Sequence, residues 1–331
     1  MKDRWKKIRY RFEWLGCELL AHCIPLLPRR ACVRLANGIG AAAFRFDKRG
    51  RAVSLANLEI VFGDRFTPSE REAVARKSYQ NFARTMLDLF WTPRLNRENF
   101  REYIRVENFD RVLNPEATRN GSVTVAVHFG CFEWLFLGMG FHGHCGLGVT
   151  EPFKNPLLTG IFKRLREAGG HEMIGQDRSV VRMLKAVKRG GQVGLLVDLN
   201  LRPDQPSVII DCFGMKSCVT FLHAILQRRT GAPVVPMESI PLPDGTCRAI
   251  VHAPLVFPDG ATELQIVQAC WDFFEKIILA DPGRWMWAYK HWRYKPRGTT
   301  RAYPFYANES SKFEKLLRAQ EAEIAGASGQ P

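Results

Sequence analysis

The segment Ser122-Val-Thr-Val-Ala-Val-His128 constrains the fold more than any other part of the chain. It is β-branched and apolar without the alternation of a half-solvated strand, so a strand here has to be buried on both faces. A sheet covered by helices on both sides provides that environment. The next apolar stretch, Phe129 to Met139, reads as a helix and leaves His128 at a strand-to-helix junction.

The same grammar returns along the chain. Asn155-Pro156 places an N-cap before a first-turn proline, opening a helix that Gly169-Gly170 should end. A helix from about Arg178 to Arg189 leads through Gly190-Gly191 into a strand, Gln192 to Val197, with Asp198 at its end. A helix near Val219–Thr230, strands near Pro233–Ser239 and Cys247–Phe257, and a helix from Thr262 to Leu279 follow. Strands alternating with helices predict an α/β fold with a mainly parallel central sheet flanked by helices. Before this region the chain reads as helical. Thr67-Pro68-Ser69-Glu70 is a capping box with proline at the first helical position, and its helix should run to about Trp91, before Pro93. The expected division is 1–45 as a membrane-associating segment, 46–305 as the α/β domain, and 306–331 as a polar tail, helical or disordered, that frays from Ser310.

The amino-terminal segment poses a membrane question. Lys2, Arg4, Lys6, Lys7, Arg9 and Arg11 stand against one acid, Asp3, and an apolar stretch from Phe12 to Leu27 follows. Glu13, Glu18 and His22 interrupt that stretch, no small-x-small cleavage site follows, and Pro25 lies near its end. About 20 mostly apolar residues are needed to span a bilayer, which this run does not supply. It reads as an amphipathic or membrane-anchoring helix on an anionic leaflet, the alternative being a helix docked on the protein's own core. The whole chain carries 48 Lys+Arg against 33 Asp+Glu, a net charge of +15, so anionic partners are favoured. The 9 cysteines are odd in number, dispersed and never spaced CxxC, which argues against a disulfide scaffold or structural zinc and for a reducing compartment. His142, His144 and Cys145 crowd together without an obvious fourth ligand, so no metal site is expected.

In open α/β sheets chemistry collects at the carboxyl ends of strands, where this chain carries His128 and Asp198. Glu133 follows His128 by about one helical turn and is placed to fold back on the imidazole, giving a His/Glu dyad able to take a proton from an alcohol. The alternative is a histidine capping a strand and a glutamate at an exposed helix start.

The segment HFGCFEW resembles the signature of glycerolipid and lipid A acyltransferases. Later segments narrow the resemblance to the bacterial lipid A late acyltransferases: Asn155-Pro156-Leu157-Leu158 with Arg164 and Arg166, LLVDLN with Asp198 and Asn200, Phe213-Gly214, and Trp285-Met286-Trp287 near Lys290 and Arg293. The similarity covers roughly residues 8 to 297. It implies an enzyme at the cytoplasmic face of a bacterial inner membrane that moves a fatty acyl group from acyl-carrier protein, or acyl-CoA, onto a hydroxyl of a lipid A precursor. It further implies His128 as general base, Glu133 as its partner, and Arg164 or Arg166 with Asp198, Asn200 and Asn155 in substrate binding. No cofactor, metal or nucleic acid enters such a reaction. The family's Asp-Gln-Asp or Asp-Gln-Asn is replaced here by Asp198-Leu199-Asn200, which loosens the inference about the acceptor more than about the reaction. The competing readings are a glycerophosphate or lysophospholipid acyltransferase and a non-enzymatic basic membrane-binding protein.

Overall fold

The computed structural model describes residues 2–113 and 121–328. Four long helices lead: α1 (Lys2–Cys23), α2 (Arg29–Phe46), α3 (Lys48–Phe62) and α4 (Pro68–Trp91). Thr67 and Glu70 form the reciprocal capping box at the start of α4, which ends at Trp91 as its spacing predicts. A strand absent from the sequence reading, β1 (Ile104–Glu107), and one turn of helix, α5 (Asp110–Leu113), precede the junction segment.

That segment forms β2 (Ser122–Ala126), buried at every position, followed by α6 (Phe132–Phe141). Next come β3 (Gly146–Val149), α7 (Leu158–Arg166), β4 (Glu172–Ile174), α8 (Ser179–Lys188) and β5 (Gln192–Leu196). A hairpin of β6 (Val208–Cys212) and β7 (Met215–Val219), which the sequence does not announce, comes just before the helix expected near Val219. The helix itself, α9 (Leu222–Thr230), starts after it. β8 (Val234–Pro241), β9 (Cys247–Val251) and α10 (Glu263–Ala280) complete the central unit.

Seven strands form one sheet in the order β1-β9-β8-β2-β5-β3-β4. All neighbours are parallel except β8 and β9, which the short turn between them makes antiparallel. One face, carrying Val123, Val125, Val193 and Val234, packs on Ile266, Phe274 and Ile278 of α10 and on Met183 and Val187 of α8. The other, carrying Ala126, Val235 and Ala249, packs on Trp134 and Leu137 of α6 and Leu87 of α4. Two covered faces explain why β2 has no polar alternation.

The polar tail is not frayed over its first turns. Helix α11 (Ser311–Ser328) docks by burying Phe313 and by the Gln320 amide, which accepts from Ile209 N and donates to Ile209 O. Cys131 and Cys247, 116 residues apart in sequence, are joined as a disulfide, against the expectation of free thiols; the other seven cysteines are free. Their proximity arises because the residue before α6 lies against the start of β9, which no sequence spacing reveals.

The amino-terminal helices are tied to this core through a buried cation. The Arg29 guanidinium lies over the rings of both Trp91 and Trp134, 4.8 and 4.5 Å from their centroids. It donates to Gly245 O and pairs with Asp88 at 2.5 Å. The outer side of α1 is different: Trp5, Ile8, Phe12, Leu15 and Leu19 are exposed, at the three-and-four spacing of one helical stripe, and Trp5 and Phe12 are each 69% exposed. Among the described residues no helix is long and apolar enough to cross a membrane.

Buried Asp88 is shared by Arg29 and by Arg84, whose Nε lies 3.5 Å from its other oxygen, so Arg29→Ala removes a charged hydrogen bond without stranding the carboxylate and should lower the unfolding free energy by about 1.5–3 kcal/mol. Arg30→Ala, one position away on an exposed face, should change it by less than about 0.5 kcal/mol. Urea denaturation of both variants checks the contrast.

Candidate active site

The adjacency of β2 and β5 brings two strand ends together. Chain register pairs Ala126 with Leu196, and Val197 N donates to Ala126 O, so the residues just beyond, His128 and Asp198, face each other. Asp198 accepts from the backbone N–H of His128 on Oδ2 (3.0 Å) and meets the imidazole Nδ1 with Oδ1 at 2.7 Å. Trp285 donates its indole N–H to Oδ2 at 2.9 Å. With Nδ1 donating to the carboxylate, Nε2 is the ring nitrogen left to take a proton. The Phe132 ring presents its edge to the imidazole, 4.9 Å between centroids.

Asp198 is wholly buried, which by itself would raise its carboxyl. The His128 imidazole and the hydrogen bonds from His128 and Trp285 outweigh burial and hold it below the usual 3.8. His291 stacks on Trp285 with centroids 3.8 Å apart; burial pushes it down to about 4, so it stays neutral behind the carboxylate.

The turn that carries His128 into α6 is fixed from below. Gly130 has φ +62°, and a Cβ there would strike the Ser239 carbonyl, so only glycine fits. Asn81 and Thr85 of α4 both donate to Gly130 O, at 2.9 and 2.8 Å, and Gly130 N donates to Arg284 O. These α4 residues escaped the sequence reading, since two polar residues on a long helix carry no signal of what they support.

The expected His/Glu dyad is corrected. Glu133 does not orient the imidazole: its carboxylate is taken by Arg166, which donates from Nη2 at 2.6 Å and from Nε at 3.0 Å. The strand-end carboxylate, Asp198, holds the ring instead. Glu133 sits at the second position of α6 and meets the guanidinium arriving from the end of α7. Burial opposes the Arg166 charge, but the Glu133 carboxylate prevails and raises its pKa.

The two arginines lie in different places. Arg166 lines the cavity beside His128, whereas Arg164 points outward and pairs with Glu18 of α1 at 3.0 Å. Asn155 is not at the cavity wall. Its amide donates to Tyr10 O and to Glu13 of α1, and its Oδ1 accepts from Leu157 N, so α7 begins at Leu158 and not at Pro156. Asn200 likewise turns away, its side-chain amide donating to Ser217 Oγ and Cys218 O while its backbone carbonyl accepts from the Tyr289 hydroxyl. Both residues are structural in this geometry. His142 packs on the Phe100 and Phe109 rings, and among the described residues no cluster of three or more His, Cys, Asp or Glu is placed to hold a metal.

His128, Glu133 and Arg166 open onto a cavity of about 790 Å³. Phe132, Phe136, Leu137, Leu196, Leu199, Leu201, Phe221, Leu222 and Ile225 make much of its wall apolar. A base at the cavity wall, an ion pair beside it and an apolar chamber of this size suit transfer chemistry on a lipid-like substrate.

A family model described as bacterial lipid A biosynthesis acyltransferase matches residues 1–294. The chain is 27% identical over 305 residues to a lipid A biosynthesis lauroyltransferase of Escherichia coli (strain K12), an alignment covering 89% of this chain and 95% of that protein. It is 23% identical over 302 residues to a lipid A biosynthesis palmitoleoyltransferase of the same organism, with the same coverage. Among solved structures, a 1-acyl-sn-glycerophosphate acyltransferase from Thermotoga maritima aligns with a TM-score of 0.33 and 18% identity, covering 70% of this chain and 95% of that one.

The depressed Asp198 carboxyl has a consequence in acid. A group with a folded pKa below its unfolded 3.8 contributes stability that is present above that value and lost as pH falls through the folded one. The stability difference between the wild type and Asp198→Asn should therefore narrow steadily below about pH 4. Parallel pH–stability curves for the two proteins would contradict the assigned charge.

Proposed function

The chain belongs to the bacterial lipid A biosynthesis acyltransferase family, and from that premise we propose that it moves a fatty acyl group from a thioester donor, acyl-carrier protein or acyl-CoA, onto a hydroxyl of a lipid A precursor. The observation that carries this reading is the His128–Asp198 pair, 2.7 Å apart, at the wall of a large apolar cavity.

In this mechanism Nε2 of His128 takes the proton of the acceptor hydroxyl as its oxygen attacks the thioester carbonyl. Asp198 keeps Nδ1 protonated and stabilises the imidazolium that forms. The tetrahedral oxyanion collapses, the carbon–sulfur bond breaks, and the leaving thiolate takes the proton back from His128. A thioester is already activated, so direct transfer needs no covalent enzyme intermediate. Arg166, aligned by Glu133, supplies positive charge at the same cavity for the oxyanion or for a phosphate of either substrate. Glu133 therefore acts through the arginine and not through the imidazole.

We also place the protein on the anionic cytoplasmic leaflet of the bacterial inner membrane. The support is the exposed apolar stripe of α1, flanked by Arg4, Lys6, Lys7, Arg9 and Arg11, and the exposed Leu35, Ile39 and Phe46 of α2. An acidic carrier protein would find the same basic charge favourable.

His128→Ala, folded as judged by circular dichroism, should lose about 10²–10⁴ in acyl transfer rate. The assay is single-turnover transfer to a lipid A precursor, with glycerol phosphate and lysophospholipid as parallel acceptors. Asp198→Asn should fall comparably, while Arg164→Ala should retain near wild-type turnover. Equal losses at Arg164 and Arg166 would undo the assignment of the second as the site cation.

A further inference from the structure

The chamber beside His128 continues as a trough along one face of the sheet, and its floor is made of glycine. Register pairs Thr124 with Gly194, Gly194 with Gly148, and Gln192 with Gly146. Paired residues and those two apart along a strand share a face, so Gly146, Gly148 and Gly194 all open on the side that carries Thr124 and Gln192. All five line the cavity. Gly148 and Gly194 leave room there for side chains from other elements, while at Gly146 the Gln192 backbone comes within 2.6 Å of where a Cβ would stand.

Two side chains narrow the trough part-way down. Phe136, one turn into α6, lies over Gly194: a Cβ added there would stand 2.7 Å from the ring Cε1. Met173 of β4 lies over Gly148, with Sδ 2.9 Å from the corresponding position. Thr124 and Gly194 are four residues back along the strand from the level of His128, a depth of about 13 Å. Farther in, the wall changes character. Gln192 is bonded to Ser122, His171 is held between Gly146 N and Phe136 O, and buried His144 lies beside Gln192. An alkyl end that reached that wall would meet polar side chains in place of apolar ones and gain less from burial there.

From this arrangement we infer that Phe136 and Met173 are the specificity-determining residues for the length of the acyl chain, the chain lying in the glycine-floored trough with its carbonyl at His128. The inference rests on the acyltransfer reading and adds the residues that select the donor. Each rests on a glycine position, and Phe136 is the bulkier and more rigid of the two gauges. Neither residue touches the reacting atoms, so both select among substrates without taking part in proton transfer. Gly194 has no left-handed backbone angle, and alanine there would crowd a movable ring and make an ordinary contact with the Thr124 hydroxyl at 3.5 Å.

The test is a series of saturated acyl thioesters of acyl-carrier protein and of coenzyme A, lengthened two carbons at a time, with a lipid A precursor as acceptor. Wild type, Phe136→Ala and Gly194→Ala are compared by kcat/KM, and folding is checked by thermal melting. Phe136→Ala should move the optimum to longer chains, changing the ratio between neighbouring members by about tenfold or more. Gly194→Ala, which drives the ring into the trough, should move it to shorter ones. Unchanged optima in folded, active variants, or shifts in the reverse directions, overturn the inference. Should either variant fail to fold, Met173→Ala is read in its place, with longer chains expected and an unchanged optimum counting against the assignment. Absence of transfer by wild type with any chain length would instead remove the acyltransfer reading.

Discussion

One buried carboxylate organises the centre of this protein. Asp198 has no route to water, so its charge persists only because three N–H groups converge on it: two from His128 and one from Trp285. The donors come from two parts of the chain, the turn after β2 and the loop after α10, and the acceptor from the end of β5. Removing either donor segment would leave the carboxylate short of partners in an apolar interior. The imidazole is thereby fixed in tautomer and direction before a substrate arrives, which is the preorganisation that general-base chemistry needs. The support extends outward: His291 lies flat on Trp285, Ser78 donates to the Trp285 carbonyl, and Asn81 and Thr85 hold the neighbouring turn.

Much of the architecture was legible because it follows from local rules. The unbroken apolar character of Ser122–Ala126 signalled a doubly covered strand, and the capping box at Thr67 fixed one end of α4. Glycine pairs and the Asn-Pro segment marked α7 and α8 to within a few residues. The strand-end rule also selected His128 and Asp198 as chemistry-bearing positions. What sequence order cannot express is which strands are neighbours. With β5 inserted between β2 and β3, Asp198 comes to the imidazole across 70 residues. Glu133, only a turn away along the chain, is drawn to a guanidinium on another helix. Proximity in sequence suggested the wrong carboxylate because a helix start points its second side chain by its own geometry. The same limit explains why Asn155 and Asn200 read as site residues and prove to be braces. Both have polar side chains at positions where a motif places them, but their partners lie on α1 and on β7.

The covered and uncovered surfaces of the protein divide its work. α10 and α8 close one face of the sheet with tightly packed aliphatic and aromatic side chains. On the opposite face, α6 covers only the half nearest β8 and β9, and the remainder is left open by glycines on β3 and β5. A glycine in a strand interior normally weakens it, since it packs nothing and loses more chain entropy on folding. Here three of them lie on one face, so that loss of packing coincides with the space beside the base.

Helix α7 is short, and both of its ends are engaged. Asn155 before it and Arg164 near its end are held by Tyr10, Glu13 and Glu18 of α1, while Arg166 is held by Glu133 at the cavity. The outermost helix and the cationic wall of the reaction chamber therefore share one rigid connector. A shortened protein that began at α2, of the sort often made to obtain a more soluble sample, would discard the grip on that connector along with its greasy stripe. Its guanidinium would then be steadied from one side only, and poor turnover by such a fragment would reflect a loosened wall as much as a lost foothold.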